Sequence, residues 1–470
     1  MKKFLPILLL ALMCMIVTSC EKSGVYEHST TINQPDDDGN TDNEEKPDDK
    51  EEGKEDENEG TGKPDDKEEG KDDEKDDEKE DENEDMDKPT KCAKNEILYT
   101  TEDGGVIELN VQDGFGANIL SHTYENGYGK IVFDNDVTSI PIEAFKGCSS
   151  VVSITLPDCV KTVGYSAFEG CSGLHEFCSN CASSDGRCLI IDDVLVAFAP
   201  AGLDDYSFSG FTTFAKRVCC GIAVDVIHIY IPTIGEEAFC ESSFGWLYLQ
   251  DSVTSIGKGA FKNVTITDGS IIIPDSVTTI GDEAFSGCQL VKRGSSLSIG
   301  NGVTSIGYRV FYYCNFSGDL VIPDSVTTIG NEAFYCCESF YTLEMGDGVT
   351  TIGDSAFAHC SELDDISMGQ NVTTIGNAAF YGCNSIFIVS IPSSVTSIGY
   401  EAFFSCDRLG FVQCYPTNPP YAVHNPETGR WDAFCYCDDD LEICVPYEWL
   451  YAYEIYSGWR DYSSKFTTFL

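Results

Sequence analysis

Leu320-Val321-Ile322-Pro323-Asp324-Ser325-Val326-Thr327-Thr328-Ile329-Gly330-Asn331-Glu332-Ala333-Phe334-Tyr335-Cys336-Cys337 is one unit of a pattern that recurs along most of this chain. Leu320 and Ile322 flank Val321, so the two face one side of a short strand. Pro323 has no N–H to give to a ladder and closes the strand. Asp324 and Ser325 suit a turn, after which Val326 and Ile329 point inward again. Gly330 lets the chain turn sharply. The spacing of Ala333, Phe334 and Cys337 predicts a single helical or 3₁₀ turn that fills the core.

Outward from this unit, the phenylalanine recurs at Phe145, Phe168, Phe239, Phe261, Phe285, Phe311, Phe334, Phe357, Phe380 and Phe403, and the last five are 23 residues apart. Ile-Gly precedes most of them, as at Ile256-Gly257, Ile280-Gly281, Ile306-Gly307, Ile352-Gly353, Ile375-Gly376 and Ile398-Gly399. The strand pair returns at Ile131/Phe133, Ile154/Leu156, Leu247/Leu249, Ile271/Ile273, Leu297/Ile299, Leu343/Met345, Ile366/Met368 and Val389/Ile391. A period in this range reads as a solenoid. One coil cannot bury its own apolar face, so neighbours stack and pair their strands in parallel. The expected fold is a repeat solenoid of coils about 23 residues long, each a short parallel strand plus a helical or 3₁₀ turn.

The repeats run over residues 131–412, with 92–130 and 413–470 expected to cap the two open ends. Near residues 186–225 the pattern blurs. Cys188 to Val196 reads as a hairpin turning at Asp192-Asp193, and Tyr206 to Gly221 reads as a degraded repeat with Cys219 in the phenylalanine slot.

The N-terminus is of another kind. Lys2 and Lys3 precede an apolar run from Phe4 to Val17, too short for a spanning helix, and the run stops at Val17-Thr18-Ser19-Cys20. Residues 1–20 read as an export signal. Residues 21–91 have almost no aliphatic content, and Asp36 to Lys88 carries 30 acidic residues against 9 lysines. Such a stretch cannot bury enough apolar surface to offset the entropy of ordering, so it reads as a disordered linker. Lys46 to Lys54 returns residue for residue at Lys63 to Lys71, as expected of a spacer. The whole chain has a formal net charge of -50, which argues against nucleic acid as a partner.

Nothing in the pattern points to catalysis. The glycines never form a phosphate-binding loop. His28, His122, His175, His228, His359 and His424 do not recur beside a nucleophile. The expectation is a non-enzymatic protein with no catalytic residues, no cofactor and no metal. Cys178-Ser179-Asn180-Cys181 has a zinc-like start, but no matching second pair follows. Eight cysteines lie three residues after a repeat phenylalanine: Cys148, Cys171, Cys288, Cys314, Cys337, Cys360, Cys383 and Cys406. Equivalent positions in stacked coils point in parallel, which is poor geometry for a bridge, so they read as a ladder of buried thiols. Disulfides between coils are the other reading, since export favours oxidation.

The repeating pattern resembles the BspA-type leucine-rich repeats of bacterial surface lipoproteins, over roughly residues 94–470. Leu441 to Pro446 with Ala452-Tyr453 and Trp459 is similar to that family's C-terminal cap. The segment ending at Cys20 resembles a lipobox, which implies a diacylglycerol on Cys20 and a place in the outer membrane, exposed at the cell surface. The family implies adhesion, with a host or bacterial surface protein or glycan as partner. A structural or decoy coat protein, and a glycan-capture accessory or enzyme working near the 186–225 insertion, are the competing readings.

If a partner binds, the strands offer the surface. The residue between each pair of inward positions points outward on the sheet, and this row runs Tyr248, Ile272, Ser298, Val321, Glu344, Ser367 and Ser390, with Trp246 flanking Tyr248. Aromatic residues dominate energetic hot spots, so docking is expected around Trp246, Tyr248 and Ile272.

Overall fold

A computed structural model of the chain describes residues 90–469. The export segment, Cys20 and nearly all of the acidic linker lie outside them. The described residues form a β-solenoid of about 14 turns with coils of about 23 residues. Each regular coil contributes two strands. The longer ones, such as Gly318–Ile322, Phe340–Met345 and Asp365–Ser367, pair in parallel, with Leu320 opposite Leu343 and Leu343 opposite Ile366. The shorter ones have two residues each, and Thr328–Ile329, Thr351–Ile352, Thr374–Ile375 and Ser397–Ile398 form a second parallel sheet. Leu320, Ile322, Val326 and Ile329 are all fully buried between the walls.

The third wall departs from the helical turn that the sequence spacing predicts. Residues 330–337 form a run of successive β-turns. The amides of Ala333, Tyr335 and Cys337 close turns onto the carbonyls of Gly330, Glu332 and Phe334. The intervening amides of Glu332, Phe334 and Cys336 point along the stack and donate to Asp354, Ala356 and Ala358 of the next coil. A helix would spend every one of these amides within its own coil. The turn run spends half of them between coils. Its cost is backbone strain, because Glu332 and Cys336 take φ values of 55° in the left-handed region. The same pair of positions recurs in the left-handed region at Ser355/His359, Ala378/Gly382 and Glu401/Ser405.

Gly330 also acts differently from the sequence reading. Its φ is not left-handed, and the turn does not need its freedom. A Cβ there would sit 2.7 Å from the carbonyl carbon of Gly307, and one on Gly376 would sit 2.5 Å from that of Gly353. Glycine is required because backbones of adjacent coils touch at this column.

Inside, the phenylalanines stack. Phe334 and Phe357 lie 5.1 Å apart at 2°, Phe357 and Phe380 5.3 Å apart at 7°, and the column runs unbroken from Phe239 to Phe434. Phe434 belongs to a coil within the segment that the sequence reading gives to the C-terminal cap. There Ala433-Phe434 and Cys437 repeat the pattern 31 residues after Phe403. No disulfide joins the ladder cysteines. Seven of the eight donate to a phenylalanine carbonyl of the preceding coil, as Cys337 does to Phe311 at 3.0 Å, and Cys148 donates to Glu108.

Polar ladders bind the outside. Thr327, Thr350, Thr373 and Thr396 each donate a hydroxyl to the backbone carbonyl of the equivalent residue one coil back. Asp324 accepts the amide of Asp347, and Asp347 accepts that of Gln370.

The ends are closed by different means. Tyr128–Phe133, with the inward pair Ile131 and Phe133, does not stack on Ile154/Leu156. It pairs antiparallel with Glu96–Thr101, which lies between it and Val151–Thr155. An antiparallel hairpin ends a parallel stack by covering its apolar face. At the far end, Trp459 and Tyr453 are fully buried and donate to the carbonyls of Pro420 and Pro416. A single-turn α-helix, Leu450–Ile455, lies among them.

Candidate binding face of the sheet

Alternation in the longer strands places every second side chain in solvent. Tyr248, Ile272 and Val321 are 39%, 57% and 51% exposed, and Ser298, Glu344 and Ser367 are exposed as well. Strand register aligns Ile272 with Ser298 in one sheet, and Val321 with Glu344 and Ser367 in another. Ser390 is half-buried and donates to the Gln413 side chain at 3.0 Å. Trp246 stands in the adjacent row, opposite Val226.

The structure divides this face into two features. The first is an aromatic cluster. The Trp246 and Tyr248 rings are 6.1 Å apart and nearly coplanar in orientation, at 4°. Tyr248 stacks on His228 at 4.8 Å and 10°, and His228 lies 6.3 Å from Tyr230. Lys292 places its ammonium 5.4 Å from the Trp246 ring centre, a cation–π contact. His228 Nε2 is 3.8 Å from the Asp205 carboxylate. His228, Tyr230 and Lys292 are absent from the sequence-derived row. The alternation in Val226-Ile227-His228-Ile229-Tyr230 was the available signal, since Ile227 and Ile229 are fully buried.

The second feature is a groove of about 550 Å³ that brings together Ser298, Val321, Glu344 and Ser367. Asp319 and Asp324 also line it, and no lysine or arginine does. Trp246, Tyr248, Ile272 and Ser390 are not part of it. Together the two features offer apolar and aromatic area that a partner can desolvate, beside carboxylates and hydroxyls that fix its orientation.

The insertion is built differently. Cys188–Ile191 and Val194–Phe198 pair antiparallel, and Asp192 and Asp193 both take left-handed φ at the turn. Cys219 is fully buried and its amide donates to Ala238, in the register of a phenylalanine slot. Tyr206 donates to Asp185 at 3.1 Å and lies 3.2 Å from the Cys188 thiol. Burial pushes that thiol up to about 12, which leaves it unionised. Burial alone would raise Asp185, but hydrogen bonds from Ser183, the Arg187 amide and Tyr206 outweigh it and hold the carboxyl below its ordinary range. These polar groups bond to one another. Among the described residues no group of three or more His, Cys, Asp or Glu side chains is placed to hold a metal.

Comparison with known proteins adds a family. Six copies of the BspA type leucine rich repeat region match residues 119–184, 232–293 and 292–410. No curated protein matches the chain. Among solved structures, the chain is similar to a leucine rich cell surface protein from Faecalibacterium prausnitzii, at 21% identity over 69% of this chain and 85% of that one, with a TM-score of 0.34. It is likewise similar to a leucine-rich repeat protein from Bacteroides ovatus, at 22% identity over 70% and 90%, with a TM-score of 0.35. The pneumococcal vaccine antigen PcpA matches at 18% identity over 78% and 97%, with a TM-score of 0.35.

Proposed function

We propose, from the premise that this chain belongs to the BspA-type leucine-rich repeat family, that it is a non-enzymatic cell-surface protein which binds a protein or glycan partner on its longer-strand sheet. Cys20 would carry the lipid anchor in the outer membrane, and the acidic linker would hold the solenoid away from it. The observation that carries this reading is the exposed aromatic cluster of Trp246, Tyr248 and Tyr230, with Ile272 and Val321 exposed on the longer strands of later coils. Large aromatic side chains left 37–47% exposed on a rigid scaffold are candidates for a hot spot, because they bury wide area with little entropy to lose. The test is the double change Tyr248→Ser with Ile272→Ser in the whole chain, compared with wild type for binding to host cells, matrix proteins and a glycan array. Neither residue faces the core, so the fold should survive. Binding should fall at least about tenfold, the loss expected when one hot spot is removed. Undiminished binding would exclude this face and turn attention to the insertion.

A further inference from the structure

The amide ladder of the turn wall is regular on both sides of one break. Glu143, Phe145 and Gly147 donate to Tyr165, Ala167 and Glu169 of the next coil. Arg217, Cys219 and Gly221 donate to Glu236, Ala238 and Cys240, and each following coil to Ala378 keeps the same three bonds. Between these stretches the corresponding amides of Ser166, Phe168 and Gly170 make no backbone hydrogen bond to the coil that follows. The two sheets break at the same level. The longer-strand sheet that contains Val151–Thr155 ends at Glu176–Cys178, and the next begins at Asp205–Phe208. The shorter-strand sheet of Ser139–Ile140 and Thr162–Val163 ends there too, and the next begins with the hairpin. The phenylalanine stack stops at Phe168, which meets Phe177 edge-on, and resumes at Phe239.

The apolar core divides at this level as well. Leu189 and Ala197 of the hairpin belong to the core of residues 97–199, whereas Cys188, Leu195 and Phe198 belong to the core of residues 188–459. The hairpin is thus a thin wall with one core on each side. Across the break one side chain forms a clasp. Arg217 donates to Glu169 at 3.2 Å through two nitrogens and to Ser166 at 3.2 Å, both on the N-terminal side. Its remaining arm reaches Glu237 at 3.0 Å on the C-terminal side. A guanidinium is suited to this role because its rigid fork serves several acceptors at once.

We propose that the hairpin Cys188–Phe198 is a hinge in the solenoid, about which the coils N-terminal to it move as one body, and that Arg217 is the clasp that holds the hinge closed. From the coil of Glu237 to that of Ala378, each coil is tied to the next by three turn-wall amides, a stacked phenylalanine and at least one continuous sheet, so bending is concentrated where all of these are missing together.

The test uses the full chain with fluorophore pairs on unnatural amino acids, which avoids the native cysteines. One pair, at Leu120 and Tyr230, spans the hinge. A control pair, at Tyr230 and Tyr341, spans regular coils. All three positions are exposed. The distance distribution across the hinge should be at least about twice as wide as the control, and Arg217→Met should widen it further while leaving the control unchanged. Glu169→Gln serves as a second, milder variant, and circular dichroism confirms that each is folded. Equal widths for both pairs in the wild type would overturn the hinge. A wide hinge distribution that neither variant alters would overturn the clasp.

Discussion

Gly353 lies so close to Gly330 that a Cβ on it would fall 2.6 Å from the Gly330 carbonyl carbon, inside contact distance of a neighbouring backbone. Backbone cannot move aside as a flexible side chain can. Gly353→Ala should therefore cost at least about 2 kcal/mol, through overpacking between coils. Glu332, two residues after Gly330, presents the reverse case. Its left-handed φ of 55° penalises any L side chain, so Glu332→Gly relieves about 1 kcal/mol of strain. The added freedom of the unfolded chain offsets about 0.5–1 kcal/mol of that gain. Denaturant midpoints should drop for Gly353→Ala and stay level or rise for Glu332→Gly. The opposite order would refute this account of the glycine column.

Phe334 is fully buried between Phe311 and Phe357, 5.2 Å and 5.1 Å away. Both neighbours are held by their own coils and cannot close over a missing ring. Phe334→Ala should cost about 3–5 kcal/mol, the range for a large ring removed from a core that cannot collapse. A loss under about 1 kcal/mol would mean that the stack relaxes freely along its axis.

The period that reveals the solenoid is written in apolar side chains, and those are legible because burial dictates them. The local shape of the third wall is not legible in that way. Ala333, Phe334 and Cys337 fall at helical spacing, yet the amides of Glu332, Phe334 and Cys336 point to the next coil. Only the stack makes those bonds possible, so local propensity cannot reveal them. It also cannot forecast Glu332 and Cys336 in the left-handed region, where neither residue type is favoured. Phe434 escaped because its coil carries an insertion that breaks the spacing. Strand alternation, by contrast, made the outward row readable as far as Tyr248. The groove at Asp319 and Glu344 needed neighbouring coils to define its walls.

His359 sits between Tyr335 and Tyr381, with ring centres 5.3 Å and 5.2 Å away, and burial holds its pKa below the ordinary 6.5. Between that lowered value and 6.5 the unfolded chain binds more protons than the folded one. Stability is therefore complete above 6.5 and declines as pH falls through 6.5 toward the folded value. His122 acts in the same direction, again through burial. His359→Phe should flatten part of the decline in denaturation midpoint from about pH 7.5 to about pH 5. A variant whose decline matches that of wild type would show that His359 contributes none of it.

The apolar run that ends at Val17-Thr18-Ser19-Cys20 motivates a separate prediction. Cys20→Ala should move the protein from the membrane fraction to the soluble fraction, since a lipid needs the thiol as its attachment point. Retention of the variant in membranes would show that another feature anchors the chain.

The thiol ladder is chemically quiet for a geometric reason. The Cys337 thiol donates to the Phe311 carbonyl one coil below, and Cys360 repeats the contact with Phe334. Each Sγ is thereby directed to a backbone oxygen. Burial pushes Cys288, Cys337, Cys360 and Cys406 well above the usual thiol range, so thiolate is scarce at any pH the protein meets. Both metal binding and disulfide exchange require that thiolate. Thiol reagents at about pH 8 should react with the ladder only as fast as the coils open, and the rate should jump on denaturation. Cys337→Ser keeps a donor for the Phe311 carbonyl, whereas Cys337→Ala leaves that carbonyl with only its turn amide. The serine variant should nonetheless be the weaker of the two if apolar packing outweighs the hydrogen bond, because a hydroxyl costs more to bury than a thiol. Intact-mass measurement on native protein supplies the decisive check. Disulfides found among these cysteines would mean that the coils shift to let parallel side chains meet, and the ladder would then be covalent.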